Sequence, residues 1–265
     1  MNNLLAIFYG FIQGLTEFLP VSSSGHLALI PHFLPLKDPG VFFDLMMHLG
    51  TAIAVILYFN KELLVLCKEG ILLLKTRQVS NSPYFINFTL ATFFSFLLIL
   101  ILKKTALDYG RTSFIIGCNF IFFGILMYLA DRREDKGTSM VKEYSLKNAL
   151  IIGLSQSFAI FPGVSRSGIT LTTSRFLGMS RVDASRFSFL LSLPVIIGSI
   201  IFKLPEILGG TAIDVGPSIM GVGVIASFLF GIVTIHFFLK LISKVGLVYF
   251  SVYRVIIGAM LIYYS

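Results

Sequence analysis

The sequence predicts an all-α integral membrane protein, with six transmembrane helices plus two re-entrant helical hairpins arranged as an inverted-topology repeat. Three observations carry that expectation. The 265 residues are 56% hydrophobic and 13% charged, and the mean hydropathy is +0.89, too apolar for a soluble domain of ordinary composition. Six apolar stretches are long enough to cross about 30 Å of hydrocarbon as helices. Two polar insets, GFIQGLTEFLPVSSSGH from Gly10 to His26 and GLSQSFAIFPGVSRSGI from Gly153 to Ile169, are near copies of one another.

The first element spans roughly 4–30 and contains the first inset. Proline and a serine cluster cut its apolar run before a full crossing is complete, so it reads as a hairpin that enters and leaves on one side. Its start, MNNLLAIFYGFIQGL, lacks the basic n-region and small-residue cleavage site of a signal peptide and is expected to stay as structure. Spans follow near 41–59, 83–102 and 112–130. The second hairpin, roughly 149–175, carries the second inset, and three more spans lie near 186–202, 218–239 and 247–264. No Pro-, Ser- or Gly-rich linker interrupts the series, so 1–265 reads as one polytopic domain, with half one about 1–130 and half two about 148–265.

Charge tests this layout. If each hairpin returns to its own side, the loops at 60–81, 131–148 and 240–246 share a face. That face carries eleven cationic residues: Lys61, Lys68, Lys75, Arg77, Arg132, Arg133, Lys136, Lys142, Lys147, Lys240 and Lys244. The opposite face has five, Lys37, Lys103, Lys104, Arg111 and Lys203. The positive-inside rule then puts the first face in the cytoplasm and both chain ends outside. Three spans between the hairpins invert the second half relative to the first, so the insets dip in from opposite sides and meet near the midplane. The net charge of +8 is explained by orientation and anionic lipid, and nucleic acid is set aside. Cys67 and Cys118 lack metal-ligand spacing and read as inert thiols.

Both insets begin Gly-x-x-Gln, end Ser-x-Ser-Gly and break at a proline, and Gln13 stands to Ser22 as Gln156 stands to Ser165. Unpaired polar groups in hydrocarbon cost several kcal/mol, so such breaks must be buried in protein or face a wet cavity. Gln13 and Glu17, four apart, share one helix face. Together they suit a divalent cation, or Glu17 handles a proton while Gln13 orients it. Ser22, Ser23, Ser24, Gly25 and His26 offer hydroxyls, backbone donors and an imidazole at a helix start, equipment for an anion. In the second inset Arg166 stands between Ser165 and Ser167, followed by Gly168 and Thr170, and a guanidinium fork suits two phosphate oxygens. Taken singly these residues have structural readings too: a serine cap, a Glu17–Arg166 pair, a histidine on a carbonyl. As a duplicated set they read as a phosphate-chemistry site, since intramembrane ionisable groups are functional by default. Asp44 and His48 are four apart and share a face with the site or a structural hydrogen bond. Arg175, Arg181, Asp183 and Arg186 read as interfacial anchors and ion pairs, and Arg254 as the partner of a carboxylate or a carbonyl.

At Gln13-x-x-x-Glu17, Phe18-Leu19-Pro20-Val21-Ser22-Ser23-Ser24-Gly25-His26 and Pro162-Gly163-Val164-Ser165-Arg166-Ser167-Gly168-Ile169-Thr170, the chain resembles the undecaprenyl-diphosphate phosphatase family of the bacitracin-resistance type. The likeness covers essentially the whole chain. It implies a multi-pass protein of the bacterial cytoplasmic membrane, with its active site facing the outer side. Such a protein hydrolyses undecaprenyl diphosphate to the monophosphate carrier that cell-wall synthesis reuses, and gives bacitracin resistance. It also implies a divalent cation, Mg2+ or Ca2+, at Gln13 and Glu17. The expected catalytic set is Glu17, Ser23 as nucleophile, His26 as its proton partner, and Arg166, with direct attack by a water activated by Glu17 or His26 as the rival mechanism. Substrate is expected on Ser22, Ser24, Gly25, Ser165, Ser167, Gly168 and Thr170. Expected partners are the polyprenyl diphosphate and membrane lipids, and a homodimer is left open. Gln13 takes the neutral option of the family's first motif, which lowers the charge offered to a cation. Paired re-entrant hairpins also serve secondary transporters, so movement of a phosphorylated lipid or another anion is the second expectation.

Overall fold

The structure, a computed structural model, describes residues 1–33, 39–109, 112–143, 145–208 and 215–265, with side chains described in all of these but 31–33, 41, 107–109 and 204–208. Lys37, Arg111 and the His32 side chain therefore lie outside the described residues. Within them the chain is helical, with no strand. The helices are α1 (Asn3–Thr16), α2 (Ser23–Phe33), α3 (Val41–Tyr58), α4 (Asn60–Thr76), α5 (Pro83–Tyr109), α6 (Ser113–Asp131), α7 (Leu146–Ser157), α8 (Arg166–Phe176), α9 (Arg181–Leu208), α10 (Pro217–Val245) and α11 (Val248–Tyr263).

Four of them are long and apolar enough to cross a membrane: Pro83–Ala106, Ser113–Asp131, Arg181–Lys203 and Pro217–Val245. They fall on four of the six expected spans. The span expected at 41–59 is α3, whose chain runs on into α4 through a 78° bend, so the pair counts as at most one more crossing. The span expected at 247–264 is α11, 16 residues long. At 1.5 Å per residue that is about 24 Å, short of the hydrocarbon thickness. Length and composition alone thus support four to five spans among the described residues.

Glycines set how the helices pack. A Cβ on Gly10 of α1 would lie 2.6 Å from the Gly223 carbonyl oxygen of α10, and one on Gly153 of α7 would lie 2.4 Å from that of Ala91 on α5. The α6–α11 crossing is reciprocal: Gly117 and Gly258 each face the other's carbonyl, at 2.8 and 2.7 Å from a built Cβ. Where lipid tails are as apolar as leucine, such small-residue contacts let backbones approach and supply the packing. At the centre Phe18 meets Phe189 edge-on at 5.1 Å, and Phe59 and Phe238 pack on the same ring. Outward-facing Leu100, Ile101, Phe122 and Phe237 are exposed and suit a hydrocarbon surround.

Polar ties close the loop end of the bundle. Asp131, buried at the end of α6, accepts from the Arg181 guanidinium at 2.6 and 3.1 Å and from the Leu247 backbone N–H at 2.9 Å. Arg175 donates to the carbonyls of Met179 and Arg133, and Arg186 approaches Glu62 at 3.8 Å. Of the four residues read as anchors and ion pairs, Arg181 and Arg186 form ion pairs, while Arg175 binds carbonyls and Asp183 accepts from the Ser180 hydroxyl at 2.7 Å.

Candidate active site

Both insets fold the same way. Helix α1 ends at Thr16 and α7 at Ser157, the latter followed by a 3-10 turn at Phe158–Ile160; each gives way to a break around a proline, and a new helix starts at Ser23 or Arg166. Proline lacks an N–H and clashes with the preceding turn, so neither helix can continue through Pro20 or Pro162. The residue before each new helix, Ser22 at φ 73° and Ser165 at φ 70°, lies in the left-handed region, which a residue with a Cβ adopts only when its surroundings compel it. Each uses its hydroxyl as an N-cap, accepting from the N–H of Gly25 at 3.4 Å and of Gly168 at 3.1 Å. Those two glycines are fixed by space: a Cβ would sit 2.8 Å from the Phe120 ring at Gly25 and 3.0 Å from Ser165 Oγ at Gly168.

The two breaks are stapled together. Arg254 of α11, 0% exposed, donates to the carbonyls of Pro20 (3.2 Å) in the first break and of Gly163 (2.7 Å) and Val164 (3.0 Å) in the second. It also reaches Asn119 and Phe120 of α6. Its partners are thus carbonyls. Ser167 Oγ adds a bond to the Leu19 carbonyl at 3.1 Å.

This brings Glu17 and Arg166 into direct contact as an ion pair. Glu17, 5% exposed, accepts from Arg166 Nη2 on Oε1. On Oε2 it accepts from Ser23 Oγ at 2.5 Å and Gln13 Nε2 at 3.0 Å, with His48 Nε2 3.5 Å away. His48 Nδ1 donates to the Asp44 carbonyl at 2.7 Å, which leaves Nε2 as the nitrogen turned toward the carboxylate. Among the described residues, Arg166 Nη1 and Gln13 Oε1 are buried atoms of this cluster without a hydrogen-bond partner.

A cavity of about 680 Å³ opens from this cluster. Glu17, Ser23, Ser24, Ser165, Arg166 and Ser167 line it, joined by His48 and Gln156. Its walls continue over Phe96, Ile99, Leu100 and Phe202 to Lys103 and Lys203, with Lys103 Nζ 3.8 Å above the Phe202 ring. Helices α2 and α8 both point their N-termini at the polar end, and the first-turn N–H groups of a helix favour an anion.

The other expected residues stand behind this surface. His26 does not line the cavity: Nδ1 donates to the Ser22 carbonyl at 2.8 Å, so Nε2 is the acceptor for the Tyr253 hydroxyl at 2.6 Å, with the rings stacked. Thr170 bonds the Arg166 carbonyl at 2.8 Å and the Ser188 hydroxyl. Ser22, Gly25 and Gly168 shape the turns, and Gln13 backs Glu17. Among the described residues no three His, Cys, Asp or Glu side chains cluster to hold a metal ion. Of the residues expected to hold a cation, Glu17 lines the cavity with both oxygens hydrogen-bonded, and Gln13 Oε1 is buried behind it without a partner. Residues under-read in the sequence are His48 and Arg254, because α3 and α11 reach the site from outside both insets.

A family model described as bacitracin resistance protein BacA matches residues 6–260. Curated relatives match end to end. An undecaprenyl-diphosphatase of Pelotomaculum thermopropionicum is 41% identical over 99% of this chain and 96% of its own. One of Marinobacter nauticus is 38% identical over 98% of both, and undecaprenyl-diphosphatase 2 of Stutzerimonas stutzeri is 39% identical over 99% and 98%.

Proposed function

Because this chain belongs to the bacitracin resistance protein BacA family, we propose that its cavity is an undecaprenyl-diphosphatase active site. It hydrolyses undecaprenyl diphosphate to undecaprenyl phosphate and inorganic phosphate, which returns the lipid carrier to cell-wall synthesis and confers bacitracin resistance. It is a multi-pass bacterial membrane protein.

One observation carries the mechanism: Ser23 Oγ donates to Glu17 Oε2 at 2.5 Å while Arg166 holds the other oxygen. Ser23 is the nucleophile. Its Oγ attacks the terminal phosphorus as the bond to the bridging oxygen breaks, and its proton passes to Glu17 and on to the departing lipid phosphate. Arg166 turns its guanidinium to the diphosphate, whose charge exceeds that of the carboxylate, and with the α2 and α8 N-termini stabilises the charge that develops. Water then attacks the phosphoserine, and Ser23 regains a proton by way of Glu17. His48 Nε2, on the same carboxylate oxygen, shares that proton traffic. His26 leaves the proton path and holds the Ser22 turn instead.

A divalent cation fits as a ligand held mostly by the diphosphate and water, with Gln13 Oε1 and Glu17 as its protein donors. The support is the buried, unpartnered Gln13 Oε1. When bound, the ion neutralises charge on the transferring phosphoryl group.

An inverted repeat is supported by matched details: the φ of Ser22 and Ser165, their caps, the α1–α10 and α7–α5 contacts through Gly10 and Gly153, and the reciprocal Gly117–Gly258 crossing. In that arrangement α3 and α11 complete six spans, α11 with local bilayer thinning. The cavity runs toward Lys103 and Lys203, on the cation-poor face, so it opens to the outer side of the cytoplasmic membrane.

Phosphate release from a prenyl diphosphate by purified protein in detergent tests the reading, since no sealed compartment exists there for transport. Activity is expected in the wild type. Ser23→Ala is expected to lose 10²-fold or more, and a trapped phosphoserine checks the covalent step. Full activity in Ser23→Ala would replace that step by direct attack of water.

A further inference from the structure

Gln156 stands in the second inset where Gln13 stands in the first, and nothing in the mechanism above uses it. It is 1% exposed, lines the cavity, and its Oε1 has no hydrogen-bond partner. Its orientation is fixed by the neighbouring helix. Ser95 Oγ lies 2.8 Å from the Ala91 carbonyl and 3.0 Å from that of Gly153, both of which only accept. The single Ser95 hydrogen is therefore committed, and the hydroxyl accepts from Gln156 Nε2 at 2.8 Å. Gln156 thus lines the cavity with its amide nitrogen committed to Ser95 and with a buried carbonyl-type oxygen that needs a donor. A buried acceptor left alone costs about as much as a lost hydrogen bond, so a ligand with hydrogen to give belongs there.

A diphosphate does not meet that need, because its oxygens accept and a facing amide oxygen repels them. Water does. The same cavity wall holds the complementary gap, Arg166 Nη1, a buried donor without a partner. Resting on the hydrolase reading, we infer that Gln156 is a positioning residue that seats the water attacking phosphorus. The water oxygen bonds to phosphorus as the P–Oγ bond of phosphoserine breaks. One of its protons travels through Glu17 to Ser23 Oγ. The other, held by Gln156 Oε1, stays on the phosphate that leaves. Ser95 keeps the amide turned the right way.

The two hydrogens of water make this testable. Methanol has one, which goes to the base, so methanol gains nothing from Gln156. Purified enzyme in detergent with a short prenyl diphosphate and methanol would be assayed for inorganic phosphate and methyl phosphate together. In Gln156→Met, phosphate formation is expected to fall roughly tenfold, the worth of one neutral hydrogen bond, while methyl phosphate changes less than about twofold and KM is held. Ser95→Ala, which frees the amide without removing it, should shift the product ratio the same way by about two- to fivefold. A parallel fall of both products, a rise in KM alone, or unchanged hydrolysis would overturn the assignment. Absence of phosphate release from the wild type would overturn the hydrolase reading and this one with it, an outcome distinct from the others.

Discussion

Glu17 takes the guanidinium of Arg166 on one oxygen and Ser23 and Gln13 on the other, with His48 Nε2 3.5 Å away, which fixes its plane against the serine. The arginine partner is specific for geometry as well as charge. A lysine at 166 keeps the charge but loses the planar fork that spans two phosphate oxygens. Arg166→Lys is therefore expected to lower kcat by about 10²-fold or more, the scale of one lost oriented electrostatic donor, with detergent-solution phosphate release as the measurement. At this scale much was legible. The spacing of the two insets named Glu17 and Arg166 and implied that they meet. It did not disclose that Ser22 and Ser165 take positive φ, because serine carries no sequence mark of that conformation. Nor did it decide between the two readings of His48, which both bonds the Asp44 carbonyl and faces Glu17, or choose among the partners of Arg254, which are backbone carbonyls that no side chain advertises.

The elements are held by close approach between small residues. Gly153 on α7 touches the Ala91 backbone of α5, so a side chain at 153 has no flexible neighbour to push aside. Gly153→Ala is expected to destabilise the fold by about 1–3 kcal/mol, the range for overpacking, seen as a lowered melting temperature in detergent. The same change would pull on Gln156 and Ser95 one turn away, so activity should fall along with stability. Hydropathy located nearly every helix, and proline located both breaks. The spans expected at 41–59 and 247–264 coincide with α3 and α11, but the stretch 60–81, read as a loop from its lysines, holds helix α4, which follows a 78° bend that no glycine or proline marks.

For the molecule as a whole, the cavity links a polar cluster to an apolar wall and two lysines at the ends of α5 and α9. That layout fits a lipid with a charged head, the head at Arg166 and the tail along Phe96 and Leu100. It also makes orientation measurable. With Cys67 and Cys118 replaced by serine, a cysteine at Lys203 should react with a membrane-impermeant maleimide added outside intact cells, and one at Lys75 should not. The reverse pattern would turn the proposed opening to the cytoplasm.

The resting pocket keeps its cation occupied, because the Glu17 carboxylate already sits on the Arg166 guanidinium. That carboxylate acts as a tethered competitor for every anion that arrives. A phosphodiester headgroup of the surrounding bilayer carries one negative charge and cannot displace it. A diphosphate carries more and can, and once its terminal phosphoryl group is gone the remaining monoester competes less well. On the proposed mechanism this one ion pair would be the filter that passes over the surrounding lipids and releases the product.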